Sequence, residues 1–450
     1  MGLPIALVGY PVGVYLPDLY SGEMGVPLAA VGAMLMLARW SDAITDPIMG
    51  FASDRVHTRF GRRKPWIAAG VPVMLLGVWM LFTPAPGATR WYLLLWYGVM
   101  TLGSTLITLP YRAWGAELSS DYHTRTRIVS AGEVLVIIGL IAAAAVPFAA
   151  KFIHTEGLSS ATILRYLALV LMTVLPVVVG LLLWLVPEPV AADTTTDRGR
   201  GGLGRTLQLM SDNGLFRLLI AIELLVTGGE NFRNALSLFF MRDVIGVDVA
   251  NIATMYLLYF VVGLVAIPVW TSLAKRLGKH RALACAMVLV SIVSVWIFTL
   301  ERGQLVAFYI LFAIKGFCFG AFSYLPRAMI ADVVDVDTAK TRMSRAGSYF
   351  AVHGIITKVA GAAGAGLSLM IVDWVGYVAR KGGDAGGLVN GPDELRWLGV
   401  LYAIVPTVLF LGALYLAWTY PLTRERHARL EAAILRRDSR LARAATGGDA

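Results

Sequence analysis

The stretch DAITDPIMGFASDRVHTRFGRRKPW, residues 42–66, joins two carboxylates in an apolar segment to a turn rich in arginine. Asp42 and Asp46 are four residues apart, so a helix places both on one face. A charge near the centre of a membrane helix costs at least about 2.5 kcal/mol on insertion scales, and such residues usually have a function. The stretch therefore predicts a membrane helix with a polar inner face, followed by a short connection outside the bilayer.

The composition extends this prediction to the whole chain of 450 residues. Hydrophobic residues make up 57% and charged residues 15%, whereas a soluble domain has about 45–50% and about 25%. Several stretches contain the roughly 20 apolar residues that a helix needs to cross a bilayer. Hydropathy thus predicts an all-α membrane protein with twelve spans. The predicted spans cover residues 3–20, 27–51, 66–84, 91–115, 128–150, 161–186, 215–241, 250–273, 282–300, 304–330, 346–375 and 396–419.

Lysine and arginine are concentrated in alternate connections between these spans. Clusters follow spans two, four, six, eight and ten, and another lies in the C-terminal tail. Because cytoplasmic loops carry an excess of these residues, both termini are expected in the cytoplasm. The charges are scattered over short loops and do not line one soluble face, so the expected partner is the lipid bilayer and not a nucleic acid.

Two short patterns recur at nearly the same separation. RFGRRK, beginning at Arg59, resembles RLGKHR, which begins at Arg276, 217 residues later. LPYRA at Leu109 resembles LPRAM at Leu325, 216 residues later. A separation near half the chain length indicates two parallel halves of six helices, as in many transporters. The predicted divisions are an N-terminal half at 1–186, a cytoplasmic linker at 187–214, a C-terminal half at 215–419 and a basic cytoplasmic tail at 420–450.

The repeated basic turns have a predicted role in gating. Gly61 and Gly278 permit a tight turn, and the surrounding cations can bind helix C-termini and carboxylates. Contacts of this kind can hold one access state and break in the other. A simple anchor that follows the positive-inside rule is the alternative. The residues assigned to gating are Asp54, Arg55, Arg59, Gly61, Arg62, Arg63, Arg276 and Gly278.

Asp42 and Asp46 form the predicted cation site. Two close carboxylates repel each other, which favours a cation or a proton between them. Thr45 adds a hydroxyl oxygen, and Pro47 removes a backbone donor and so frees a carbonyl. Oxygen-rich sites of this kind suit hard cations. A structural ion pair with Arg39, one turn earlier, is the alternative, and the two roles are compatible.

Lys358 is the predicted charge partner of these carboxylates. It lies in span eleven among small residues that permit close helix packing, and a lysine there needs a carboxylate partner. A lysine that extends to the membrane surface is the alternative. Other polar residues within spans are candidates for a substrate cavity, although Glu230 and Arg233 can instead pair with each other. These candidates are Glu133, Glu230, Arg233, Tyr349 and His353.

Four features together resemble a known family. They are ARWSDAITDPIMGFASDRVHTRFGRRKPW (38–66), LPYRAWGAELSSDYHTRTRI (109–128), ADVVDVD (331–337) and Lys358. The combination is similar to the glycoside–pentoside–hexuronide cation symporters, the melibiose-carrier-like branch of the major facilitator superfamily. The resemblance covers nearly the whole chain. It implies the twelve-helix fold of that superfamily, alternating access and cation-coupled uptake.

The resemblance assigns the cation site and the sugar site differently. It implies that Asp42, Thr45, Asp46 and Thr105 bind the cation, with Lys358 as the family's lysine of span eleven. In contrast, the aspartates and the arginine of a melibiose-type sugar site are replaced: Ala6, Thr108 and Glu133 stand at those positions, and Arg112 stands at the position of a tryptophan. A galactoside cargo is therefore not expected, and Thr108 joins the candidates for a different substrate pocket.

These observations predict a secondary active transporter with more than one possible cargo. A sugar, glycoside or related polar solute moved with Na⁺ or H⁺ is the first hypothesis. An amphipathic cargo such as a lysophospholipid is the second, and a non-transporting sensor on the same scaffold is the third. No enzyme is expected, because no catalytic, metal-binding or phosphate-binding spacing stands out. We expect a monomer in a bacterial inner membrane, with no cofactor besides the coupling ion.

Overall fold

The computed structural model of the chain describes residues 1–55, 58–118, 122–154, 158–188, 213–341, 346–380 and 390–421. Every named element within these ranges is a helix. Most of the predicted linker, at residues 189–212, and the tail at residues 422–450 lie outside the described residues. The side chains of Asp54, Arg55 and Glu133 also lie outside the described part of the chain.

The helices follow one another with short connections. Before the linker they are α1 (Gly2–Val14), α2 (Leu16–Asp18), α3 (Leu28–Arg55), α4 (Lys64–Phe82), α5 (Arg90–Glu117), α6 (Tyr122–Ala150) and α7 (Ser160–Leu185). After it they are α8 (Gly214–Phe239), α9 (Val249–Leu277), α10 (Lys279–Phe298), α11 (Leu305–Phe322), α12 (Leu325–Thr341), α13 (Ala346–Trp374), α14 (Pro392–Gly399) and α15 (Val405–Trp418). Three π-helical turns extend α2, α8 and α14: Leu19–Glu23, Phe240–Ile245 and Val400–Ile404.

Each of the twelve predicted spans coincides with one helix or with consecutive helices. Within the described residues, nine helices are long and apolar enough to cross a membrane, or ten if Gly2–Val14 and Leu16–Glu23, bent by 46°, count as one span. In the part of helix α6 whose side chains the structure describes, the apolar stretch is the shorter Val134–Ala150. Helix α8 is less apolar because it carries the buried Glu223 and Arg233, and charges in a span usually face the inside of a bundle.

The helices pack into one bundle around a central cavity. Helix α4 packs along α5, and α3 packs against both α5 and α13. Helix α13 in turn packs against α8, and α9 packs against α6 and α11. The contacts of α3 with α13 and of α6 with α9 therefore join the residues before the linker to those after it. The division into two six-helix halves remains a prediction.

Glycines set the close approach of several helices. A Cβ atom added at Gly32 on α3 would lie 2.5 Å from the carbonyl oxygen of Gly366 on α13. At Gly103 on α5 it would lie 2.4 Å from the backbone nitrogen of Met74 on α4. Both distances are shorter than any side chain tolerates, so the backbones touch only because glycine has no side chain.

We expect Gly103→Val to lower the thermal unfolding temperature of the protein in detergent. The added side chain meets backbone atoms that cannot turn aside, and overpacking of this kind costs about 1–3 kcal/mol. Gly98→Val on the same helix is the matched control, because a Cβ atom at Gly98 meets nothing within 4 Å. Equal unfolding temperatures for the two variants would contradict the tight contact between α4 and α5.

Candidate cation and substrate site

The two carboxylates of α3 meet the lysine of α13. Lys358 Nζ lies 2.5 Å from Asp46 Oδ2 and 3.6 Å from Asp42 Oδ2. The helical repeat places Asp42 and Asp46 on one face, and the glycine contact between α3 and α13 brings the lysine within reach. A single ammonium group therefore lies between both carboxylates.

Three further side chains surround this centre. Thr105 Oγ1 on α5 donates a hydrogen bond of 2.9 Å to Asp46 Oδ1. Arg39 Nη1 lies 3.8 Å from Asp42 Oδ2, while Arg39 Nε donates a 2.8 Å hydrogen bond to the hydroxyl of Tyr97. The ion pair of Arg39 with Asp42 is thus long, and the arginine is held mainly by the tyrosine.

One carboxylate oxygen of Asp42 accepts none of the described hydrogen bonds. Its side chain is nearly buried, and Oδ1 has no hydrogen-bond partner among the described residues. A buried acceptor without a partner is costly, so each such group calls for an explanation. A cation bound between the carboxylates would satisfy it. Thr45 is half-buried on the same helix and makes none of the described hydrogen bonds of this centre.

A cavity of about 280 Å³ lies beside the charged centre. It is lined by residues of α1, α3, α5, α8 and α13, from both sides of the linker. Its polar lining consists of Arg39, Tyr97, Asn231, Thr357 and Lys358, and the rest is small or apolar. The side chain of Lys358 is 35% exposed, so solvent or a solute in the cavity can reach the ammonium group and, through it, the carboxylates.

Two predicted substrate residues pair with each other inside α8. Arg233 Nη2 donates a 2.5 Å hydrogen bond to Glu230 Oε2, and the arginine side chain is only 3% exposed. His353 on α13 contacts α8 as well, with Nε2 3.1 Å from Glu223 Oε1. None of these side chains is among those that line the cavity.

The remaining candidates also lie away from the cavity lining. Tyr349 is fully buried, packs against Phe216 and accepts a 3.2 Å hydrogen bond from Asn213 Nδ2. Thr108 is half-buried on α5, one turn after Thr105. A role for these residues in substrate binding stays a prediction. The cavity instead presents Tyr97 and Asn231, which the sequence analysis did not select.

The first basic turn surrounds a carboxylate at the start of the predicted linker. Glu188 Oε1 accepts hydrogen bonds from the backbone nitrogens of Arg62 and Arg63, at 2.7 and 2.6 Å. Gly61 has a φ of 109°, and Glu188 Oε2 lies 2.0 Å from where its Cβ atom would be. Only glycine can adopt this backbone angle and admit the carboxylate.

Arg59, Arg276 and Gly278 are three further predicted gating residues that the structure describes. Arg59 is exposed and stacks over the ring of Phe60, 4.6 Å from its centroid. Gly278 ends α9 with a φ of 95°, and Arg276 beside it is exposed. The exposed arginines are free to make contacts in another arrangement of the helices, and gating by these turns remains a prediction.

An ionic network lies at the end of the bundle opposite the turn at residues 58–64, here called the far end. Arg242 Nη1 lies 2.7 Å from Asp18 Oδ1, and Arg242 Nε lies 3.1 Å from Asp243 Oδ1. Asp243 Oδ1 is also 3.0 Å from Arg380 Nε, and Asp243 Oδ2 accepts a hydrogen bond from Tyr377. These five residues, the far-end network, connect the start of the chain with residues beyond the linker.

Sequence reasoning missed the far-end network for a simple reason. Asp18 lies in the last turn of the first predicted span and Arg242 directly follows the seventh, and charges at the ends of spans are expected to face water. Glu188 was passed over as part of the linker. Lys315, which is 1% exposed in α11, was hidden in one of the most apolar helices. A search for charges within apolar windows would have found Lys315.

Comparisons with known proteins agree with this architecture. The profile of the MFS/sugar transport protein family matches residues 1–424. The putative glycoside/cation symporter YagG of Escherichia coli is 25% identical over 92% of this chain and 87% of its own length. The sodium-dependent lysophosphatidylcholine symporter 1 of Xenopus tropicalis is 23% identical over 96% of this chain and 88% of its own length.

The fold is also found among solved structures. The nucleoside transporter NupG superposes with a TM-score of 0.63 at 12% identity, covering 92% of this chain and 96% of that one. The predicted fold class is thereby confirmed. Because the family and its structural neighbours are transporters, the expectation that the chain is not an enzyme is confirmed too. The chain belongs to the MFS/sugar transport protein family, and its relatives bear out the resemblance to the glycoside–pentoside–hexuronide cation symporters.

Proposed function

We propose that the protein couples the entry of Na⁺ or H⁺ to the uptake of a sugar, glycoside or related small polar solute. The observation that carries the proposal is the position of Lys358 between Asp42 and Asp46 at the cavity wall. The two carboxylates together bind one positive charge, the ammonium group of Lys358. A coupling cation that takes this place releases Lys358 towards the cavity, where a solute with hydroxyl groups can accept its hydrogen bonds.

The size and lining of the cavity favour a small polar cargo. Its volume of about 280 Å³ is just below the roughly 300–1,000 Å³ of ligand pockets for drug-sized molecules. Arg39, Tyr97, Asn231 and Lys358 offer several hydrogen-bond donors within that space. A lysophospholipid needs a much longer apolar channel. We therefore place the amphipathic cargo second, although some relatives are named for it.

We place the protein as a monomer in the inner membrane of a bacterium, with both termini in the cytoplasm. The basic turns support this orientation through the positive-inside rule. The turn at residues 58–64 is then cytoplasmic and the far-end network faces the opposite side. Residues 1–186 and 215–419 act as two halves that rock around the cavity, in the manner of transporters with internal repeats.

A transport screen in proteoliposomes tests the proposal. Labelled monosaccharides, disaccharides, glycosides and lysophosphatidylcholine are offered under an imposed Na⁺ gradient, an imposed pH gradient, or choline alone. We expect accumulation of at least one polar solute that requires one of the two gradients. Accumulation of the lysolipid alone would favour the second cargo, and uptake independent of both gradients would overturn the cation coupling.

We expect Thr105→Val to weaken cation binding by roughly tenfold or more, because the threonine oxygen is one of the proposed cation ligands and a polar contact to a charged group contributes about 1.5–3 kcal/mol. The measurement is the Na⁺ or H⁺ concentration that gives half of the cation-induced rise in unfolding temperature. Thr101→Val is the matched control, since Thr101 is equally buried on α5 but donates to the backbone oxygen of Gly98, at 3.0 Å. Equal effects of the two variants would remove Thr105 from the cation site.

A further inference from the structure

Asn231 lines the cavity and has no part in the proposed cation site. It is half-buried on α8, on the opposite side of the linker from Arg39 and Tyr97. Its amide nitrogen, Nδ2, donates a hydrogen bond of 2.9 Å to the backbone oxygen of Thr227. Because a backbone oxygen only accepts hydrogen bonds, this contact fixes which end of the amide is the nitrogen. The other end, Oδ1, accepts none of the described hydrogen bonds.

A glycine of α13 leaves this amide open to the cavity. Gly361 lies opposite Asn231, and both residues line the cavity. A Cβ atom added at Gly361 would lie 3.2 Å from Asn231 Nδ2 and 3.7 Å from Asn231 Oδ1. A longer side chain at this position would cover the amide. The absence of one lets a solute approach Oδ1 closely.

The other polar side chains of the cavity mainly offer donors. Arg39 and Lys358 can only donate hydrogen bonds. Tyr97 accepts a 2.8 Å hydrogen bond from Arg39 Nε, so the hydrogen of its own hydroxyl group is left for another acceptor. Thr357 Oγ1 donates to a backbone oxygen one turn earlier, at 3.0 Å. Among the described lining residues, only Asn231 contributes a side-chain carbonyl oxygen.

This combination of several donors and one amide oxygen suits a hydroxyl group of a solute. A hydroxyl group both accepts and donates, so it can accept from Tyr97 or Lys358 and donate to Asn231 Oδ1. A solute held in this way bridges α5 and α8, which lie on opposite sides of the linker. A site built to bind a hydroxyl group rejects the analogue that lacks it, because a polar group of the site then loses its partner.

We propose that Asn231 is a specificity-determining residue of the cavity and that its Oδ1 accepts a hydrogen bond from one hydroxyl group of a monosaccharide-sized cargo. The inference rests on the proposed function for the cargo class, a small solute with hydroxyl groups. It does not depend on which cation drives uptake, or on whether uptake is coupled to a cation at all. Its consequence is that one particular hydroxyl group of the cargo is recognised through Asn231.

The test is the exchange of labelled sugar across proteoliposome membranes, with equal Na⁺ and equal pH on both sides. The sugars are D-glucose, D-xylose and L-arabinose, each competed with its own monodeoxy analogues. In the wild type, at least one monodeoxy analogue should compete roughly five- to tenfold more weakly than its parent sugar, as expected for one hydrogen bond. Asn231→Leu should weaken the parent sugar by the same factor and leave that analogue unchanged, because the analogue never had the hydrogen bond to lose.

Two further variants control for a purely structural effect. Asn234→Leu replaces another half-buried asparagine of α8, which is not among the described lining residues, and should keep the wild-type competition constants. Asn231→Asp keeps an acceptor oxygen and should keep the discrimination against the analogue. The proposal is overturned if Asn231→Leu weakens the parent sugar and every analogue equally, if Asn231→Asp loses the discrimination, or if the wild type exchanges none of the three sugars.

The proposed function fails through a different result. Exchange needs no gradient, so sugar exchange without gradient-driven accumulation would refute cation coupling and leave the role of Asn231 intact. Gradient-driven accumulation of a sugar whose analogues are all weakened equally by Asn231→Leu would refute the role of Asn231 alone.

Discussion

Asp46→Asn is expected to abolish cation-driven accumulation and the cation-induced rise in unfolding temperature. Asp46 receives the 2.5 Å contact of Lys358 and the 2.9 Å hydrogen bond of Thr105, so it is the centre of the site. The neutral amide cannot hold a cation by charge. The contact between the Asp46 carboxylate and the cation is worth about 1.5–3 kcal/mol, so its loss lowers cation affinity by roughly 10- to 150-fold.

The experiment has two independent measurements. Thermal unfolding of the purified variant with Na⁺, with choline and at several pH values measures binding without a cargo. Uptake in proteoliposomes measures coupling once a cargo is found. Asp393→Asn is the control, because Asp393 is an exposed carboxylate in the first turn of α14. If Asp46→Asn keeps the cation response of the wild type, the cation lies elsewhere and Lys358 with its two carboxylates is a structural ion pair.

The pairing of Lys358 with the carboxylates is a feature of the site that can be predicted from the sequence. The spacing of Asp42 and Asp46 fixes their common face in any helix, and a buried lysine must find an opposite charge. Both arguments are local, and they hold without knowledge of how the helices pack. Thr105 differs, since only the family resemblance pointed to it. Its hydrogen bond to Asp46 depends on the rotation of α5 against α3, which no pattern in the sequence fixes.

The substrate candidates show where sequence reasoning ends. Glu230 and Arg233 are three positions apart on one helix, so they could either pair with each other or bind a substrate. In the structure they form a buried ion pair on α8. Tyr97 and Asn231 line the cavity, but no sequence pattern distinguishes either of them from the other residues of its helix. The packing of at least three helices decides which face of each helix lines the cavity. The hydropathy of the sequence does not predict that packing.

Asp243→Asn is expected to open the far end of the bundle. Asp243 is 1% exposed and is contacted by Arg242, Arg380 and Tyr377. Asp18 and Arg242 are 224 residues apart in the chain, so the network ties together parts that must separate for the cavity to open at this end. Removing one partner of a buried charge network costs about 3–5 kcal/mol. A shift from 1:99 to 99:1 between two states needs about 5.5 kcal/mol, so this loss is enough to make a rare open state a major one.

The opening is measured as a distance between two spin labels at the far end. Ala85 and Gln304 are exposed there, on opposite sides of the linker, and cysteines at these positions carry the labels in a background with Cys285 replaced by serine. The label distance should lengthen in Asp243→Asn. It should stay at the wild-type value in Asp248→Asn, which removes an exposed carboxylate only five residues away. If the label distance in a folded Asp243→Asn variant equals that of the wild type, apolar packing, such as that of Tyr10 on Tyr256, closes this end without help from the charges. The energy for opening would then have to come from cargo or cation binding alone, because a ligand shifts an equilibrium only by its differential affinity for the two states.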